Sequence, residues 1–133
     1  MPLVVPEGGE RKMLELIINK SSPSQLTIRL YSSPVDFSGG GLGIADFQEP
    51  EDASYSPIDL PGSSWSVATV GGVSAATYAS SVEFSFEGAS DLYGYYVTDS
   101  AGVVMWAEAF STSPLSIPAA GGKVRVRPRL QLN

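Results

Sequence analysis

From Ser24 onward every periodic segment of this chain repeats every second residue, and that pattern restricts the fold more than any other feature. Leu26, Ile28 and Leu30 alternate with Thr27, Arg29 and Tyr31. Trp65 and Val67 alternate with Ser66 and Ala68, and Val82, Phe84 and Phe86 with Glu83, Ser85 and Glu87. Side chains point to opposite faces along a strand, so each segment is expected to bury one face. Turn formers separate them: Ser38-Gly39-Gly40-Gly41, Leu60-Pro61-Gly62-Ser63, Gly71-Gly72, Glu87-Gly88-Ala89-Ser90 and Ala120-Gly121-Gly122. Short strands at such intervals predict a mainly β protein, an antiparallel β-sandwich or small barrel, jelly-roll-like, with about eight or nine strands. The 133 residues fit a single domain that buries a core without disulfide or metal staples. Within it we expect an extended arm over 1–8, a helix over 10–19 and the β-sandwich over 24–133.

The stretch from Tyr93 to Phe110 is the densest in aromatic and β-branched residues and is expected to be central. Leu92 to Thr98 and Val103 to Phe110 have strand composition, and Asp99-Ser100-Ala101-Gly102 supplies the turn of an antiparallel hairpin. Strict alternation places Tyr93, Tyr95 and Val97 on one face and Leu92, Gly94 and Tyr96 on the other. Glu108 interrupts the second strand and is expected to face solvent or a partner.

Both ends of the chain differ from this body. Pro2-Leu3-Val4-Val5-Pro6 is apolar and bracketed by prolines, which hold it extended. Such an arm lies either on its own domain or on a neighbour. Met13, Leu14, Ile17 and Ile18 fall at helical spacing within Glu10 to Asn19, bounded by Gly8-Gly9 and by Ser21-Ser22-Pro23. A strand over Leu14 to Ile18 is the other reading. A helix of this length is marginal alone and must pack on the β body or on another copy. At the other end, Lys123, Arg125, Arg127 and Arg129 alternate with Val124, Val126, Leu130 and Leu132. Pro128 lacks an amide proton, which puts this strand at an edge or a bulge.

Charge and chemistry exclude more than they identify. Histidine and cysteine are both absent, which removes the commonest general base, the commonest transition-metal ligand, thiolate chemistry and disulfides. An enzyme is therefore not expected, nor a cofactor or metal. No basic segment followed by a long apolar core opens the chain and no run approaches a membrane span, so neither an export signal nor a membrane partner is expected. The net charge is −6 at pH 7, and between 30 and 122 there are eleven Asp and Glu and no Lys or Arg. An acidic body of this kind repels nucleic acid. Its basic last strand matches either acids of the same chain or a complementary surface.

Each local motif has a structural explanation. Gly39-Gly40-Gly41-Leu42-Gly43 lacks the Lys-Ser or Lys-Thr of a phosphate loop and reads as a connection. Asp46, Glu49, Glu51 and Asp52 do not have the spacing of a calcium loop and read as a solvated acidic segment. Glu83 and Glu87 lie on one face of one strand, a placement that does not match carboxylates flanking a sugar bond. Tyr93, Tyr95, Tyr96 and Trp106 read as core, with a sugar-stacking platform as the alternative.

Taken together, MPLVVP at the start, LIINKSSPSQLTIRLYSS, PGSSW, YGYYVTDSAGVVMWAEAF and the closing KVRVRPRLQLN resemble small virion proteins of tailed phages. The resemblance is to head decoration or cement proteins, including those of phages infecting cyanobacteria. It implies a protein on the outer surface of the assembled capsid that stabilises contacts between major capsid protein subunits at a symmetry axis. It also implies a closed homo-oligomer, a trimer first and a dimer second. On this reading the appendages dock: Leu3, Val4 and Val5 of the arm, Met13, Leu14 and Ile17 of the helix, and Arg125, Arg127 and Arg129 of the last strand. The alternative is a tail-associated or receptor-binding β module that recognises host surface glycan through its aromatics.

Overall fold

The expected hairpin around Asp99 is the tip of a much longer ribbon. The computed structural model describes residues 3 to 132. In chain order its elements are α1 (Glu7–Ile17), β1 (Leu26–Tyr31), β2 (Ile58–Leu60), β3 (Trp65–Val70), β4 (Val73–Tyr78) and β5 (Val82–Phe86). Then follow β6 (Ser90–Leu92), β7 (Gly94–Thr98), β8 (Val104–Ala109), β9 (Leu115–Ile117), β10 (Gly122–Val126) and β11 (Arg129–Leu132). Starting from the Asp99 turn, β7 pairs with β8, β6 with β9, β5 with β10 and β4 with β11, all antiparallel. Gly94 lies opposite Ala109, Leu92 opposite Leu115, Phe86 opposite Gly122 and Ser74 opposite Leu132. One ribbon thus folds over itself into a sandwich-like, mainly β architecture with antiparallel sheets and no closed barrel.

Added strands complete the layers. The sheet order β2-β1-β7-β8 places β7 in the interior, and β3 joins β4 to make β11-β4-β3. Eleven strands stand among the described residues where eight or nine were expected, because long strands are interrupted at bends. One break falls between β10 and β11 at Pro128, where the proline was expected to force an edge or bulge. Ile28, Leu30, Leu60, Phe84, Phe86, Leu92, Tyr95, Val97, Met105, Trp106, Val124 and Val126 belong to one buried core. A second cluster of Tyr31, Phe47, Tyr96, Val104 and Ala107 covers the other face of the central sheet. Phe47 comes from the long loop after β1 and stacks on Tyr96 with ring centroids 4.4 Å apart.

The hairpin departs from strict alternation at one point. Leu92 packs in the main core with Tyr95 and Val97, while Tyr93 packs with Tyr96 in the second cluster. The reason is a change of partner. β6 pairs with β9 and ends at Leu92, whereas the Tyr93 amide donates to the Tyr31 carbonyl as the chain enters β7. The turn forms as expected, with Asp99 Oδ1 accepting from the amides of Ala101 and Val103 at 3.0 and 2.9 Å. Glu108 is half-buried: it lies opposite Tyr95, whose hydroxyl donates to its carboxylate at 3.0 Å.

From Leu3 onward the N-terminal arm packs on its own domain; Met1 and Pro2 lie outside the described residues. Val4 exchanges two 2.8 Å backbone hydrogen bonds with Ala107, adding a residue to the free side of β8. Pro6 is the N-cap and α1 begins at Glu7, earlier than the expected Glu10, so Gly8 and Gly9 lie inside the helix. Packing explains this. A Cβ on Gly9 would collide with the carbonyl oxygens of Met105 and Val104, so the missing side chain is what lets α1 rest on β8. The Glu7 amide, left uncapped by Pro6, donates to the Gly40 carbonyl at 2.9 Å. The glycine loop therefore caps the N-terminus of α1 as well as serving as a connection. α1 ends at Ile17, and Asn19 takes a left-handed conformation with φ of 60°.

Candidate interaction surface

The helix divides the apolar residues that its sequence offers. Gly9, Met13 and Leu16, spaced four and three apart, face the sheet, with Met13 and Leu16 half-buried against the main core. Leu14, Ile17 and Ile18 are exposed, Ile17 by 78%. The expected single stripe of Met13, Leu14, Ile17 and Ile18 is thus split, because contact with β8 selects the Gly9 face. Lys12 reaches across to Asp99 at 3.7 Å and ties the helix to the hairpin turn. Between α1 and the sheet lies an apolar cavity of about 230 Å³ bordered by Met13, Leu16, Pro23, Leu26, Trp106 and Leu130.

Of the remaining expected contact residues, the arm is committed to the fold. Leu3 and Val5 are half-buried against the main core, and Val4 holds the Ala107 bridge. Arg125 donates to Glu83 at 3.0 Å and Lys123 lies 3.3 Å from the same carboxylate, so two basic residues meet an acid of the paired strand. Those hydrogen bonds hold the Glu83 carboxyl below the usual carboxylate range. Arg127 donates to the carbonyls of Tyr78 and Ala79 at 2.7 and 3.1 Å. Arg129 is exposed, and its guanidinium has no ion pair among the described residues. The intramolecular match accounts for Lys123 and Arg125 and, among the described residues, does not extend to Arg129.

Of the four acids expected to form a solvated segment, Asp46 and Glu51 are exposed, and Asp46, Glu49 and Asp52 also hold local hydrogen bonds. Asp52 accepts from the amides of Glu87, Gly88 and Ser54 at 2.9 to 3.1 Å, which lowers its pKa. Asp46 accepts from the Gly43 amide at 2.8 Å. Glu49 accepts from Arg29 at 3.1 Å and from the Tyr55 hydroxyl at 2.6 Å. No group of three such residues converges on a possible metal position among the described residues. Of the aromatics considered as a sugar platform, Tyr95, Tyr96 and Trp106 are buried in the core, leaving Tyr93 half-exposed beside Phe110 and Phe37. Burial raises the pKa of Tyr31 to about 12, and it also raises Tyr55, Tyr95 and Tyr96.

One surface was not expected from alternation. In β3 the sequence pattern calls for a buried Val67, yet Val67 is 77% exposed and Val70 79%. Trp65 alone packs inward, edge-on to Trp106 at 5.9 Å between ring centroids. Beyond Trp65 the β3–β4 hairpin projects past the core as a wing. From Leu60 to Val82 the chain carries no charged residue, a signal visible in the sequence as a long neutral gap in an acidic protein. Leu130 borders both the cavity beneath α1 and a shallow groove of about 120 Å³ on the wing, lined by Val67, Ala76 and Leu132. Compared with models of protein families and with curated proteins, the sequence matches none of either.

Proposed function

We propose that this protein is a capsid decoration, or cement, protein of a tailed phage. It binds the outer surface of the assembled head and stabilises contacts between major capsid protein subunits. The observation that carries this reading is the outer face of α1, where Leu14, Ile17 and Ile18 stand exposed on a helix fixed to the sheet by Gly9 and by the Lys12–Asp99 pair. A rigidly held apolar face loses little conformational entropy on docking, and fully burying each such side chain contributes about 1.5–3 kcal/mol. Arg129 adds an exposed positive charge for an acidic shell surface. Leu3, Val4 and Val5 act indirectly, by anchoring the helix through the β8 edge. The side-chain inventory, without His or Cys, is suited to an interface and poor in catalytic groups.

Copies sit on the shell as a closed symmetric assembly, with no role for nucleic acid or membrane. No helix among the described residues is long and apolar enough to cross a membrane. The alternative of glycan recognition on a tail would use an aromatic platform, and the burial of Tyr95, Tyr96 and Trp106 removes most of it. The test is co-sedimentation of purified protein with phage heads lacking it. Wild type is expected to pellet with heads, and Ile17→Asp to remain in the supernatant with its fold intact by circular dichroism. Equal pelleting of both would remove the helix face from the contact, and no pelleting of either would remove the decoration reading.

A further inference from the structure

We infer that β3 is the seam of a two-fold homodimer, formed by antiparallel pairing of β3 with β3 of a second copy. Among the described residues nothing pairs with the side of β3 away from β4. Soluble β proteins usually protect such an edge with charge, proline, a bulge, short length or a covering segment. The other long edges here have such protection. β2 is three residues long and contains Asp59, and β8 is covered by Val4 and α1. β10 carries Lys123 and Arg125, and β11 follows Pro128 and begins with Arg129. β3 has none of these devices: its six residues WSVATV pair with β4 in unbroken register and contain neither charge nor proline.

The register follows from the turn. Gly71 and Gly72 both have positive φ, 60° and 80°, and join β3 to β4 as a two-residue loop closing on the Val70–Val73 pair. Such a loop closes on a hydrogen-bonded pair, so Val70, Ala68 and Ser66 bond to β4. Trp65, Val67 and Thr69 therefore direct their amide and carbonyl groups to the open edge. Val67 is the middle of these three. A two-fold axis beside it sets Val67 against Val67 of the copy and Trp65 against Thr69, satisfying all the outward groups and merging two three-stranded sheets into six.

Charge selects the occupant. With a net charge of −6, two copies repel wherever their acids approach within the screening length of about 8 Å at physiological salt. The uncharged run from Leu60 to Val82 is the region where identical chains meet without that repulsion, while a basic partner would be drawn to the acidic body instead. An isologous contact of this kind closes at two copies, giving a dimer in place of the trimer expected from the resemblance. This holds whether or not the protein binds a capsid.

The experiment is sedimentation equilibrium of the full chain with hydrogen exchange on the same sample. Wild type is expected at twice 14.0 kDa, with the amides of Val67 and Thr69 protected. Val67→Lys places two like charges at the axis, and Thr69→Pro removes an outward amide while leaving the β4 bonds. Each is expected to weaken the dimer by at least about tenfold, and Leu132→Lys, on the far edge, to leave it unchanged. A wild-type monomer, or freely exchanging Val67 and Thr69 amides, overturns the inference without reference to any variant. A dimer unaffected by both edge substitutions overturns it as well.

Discussion

The two ends of the folded ribbon have similar alternating sequences and opposite fates. At the β7–β8 end both faces are covered, one by the main core and the other by Phe47 and Tyr31 from the long loop and β1. At the β4–β11 end the added strand β3 pairs with β4 alone among the described residues and projects Val67 and Val70 into solvent. Alternation establishes that a segment is a strand. A second layer decides whether its apolar face is buried, and that layer comes from residues far away in the chain.

Substitutions sharpen the contrast, and the largest effect is expected at Trp106. Trp106→Ala removes a buried ring contacting Trp65 and is expected to lose about 3–5 kcal/mol in urea unfolding. A loss below 1 kcal/mol would mean that the hairpin end is less tightly packed than described. Next is Gly9→Val, which pushes α1 off the carbonyls of Val104 and Met105 and is expected to lose about 1–3 kcal/mol. Faster exchange of the Ala107 amide, held by Val4, would report the same displacement. At the wing the expected loss is smallest: Val67→Ala is expected to change monomer stability by less than about 0.5 kcal/mol.

Much of the fold was legible in the sequence. Period two from Leu26 onward, the Asp99 turn and the interruption at Pro128 each state a local geometric requirement that the structure meets. The interaction surface was less legible. Gly8-Gly9 reads as a helix boundary until β8 is seen beneath it, and the stripe from Met13 to Ile18 divides only when one face meets the sheet. Glu108 reads as an exposed charge because its Tyr95 partner lies across the hairpin. Val67 reads as core because its pattern matches that of Phe84. The neutral run from Leu60 to Val82 was the available signal of a different role.

Titration is expected to act with opposite signs on the buried tyrosines and on Asp52. Tyr31, Tyr55, Tyr95 and Tyr96 lie toward the covered end and have raised pKa values. Because their protons bind more tightly in the folded state, stability is expected to fall as pH rises above the unfolded tyrosine value of about 10. Their absorbance change near 295 nm should coincide with loss of circular dichroism; ionisation before unfolding would contradict their burial. Asp52 gives the opposite sign. Its depressed pKa contributes stability above the unfolded value of about 3.9, lost as pH falls through the folded value. The melting temperatures of wild type and Asp52→Asn are therefore expected to converge on acidification, and a constant gap between them would argue against the amide contacts of Glu87 and Gly88.

For the decoration role proposed above, the most direct test is cryo-electron microscopy of tailed-phage heads to which the purified chain has been added. Density for a 14.0 kDa β domain is expected on the outside of the head at a symmetry axis, with the Leu14–Ile17 face of α1 against the shell. No such density on the heads would contradict that role.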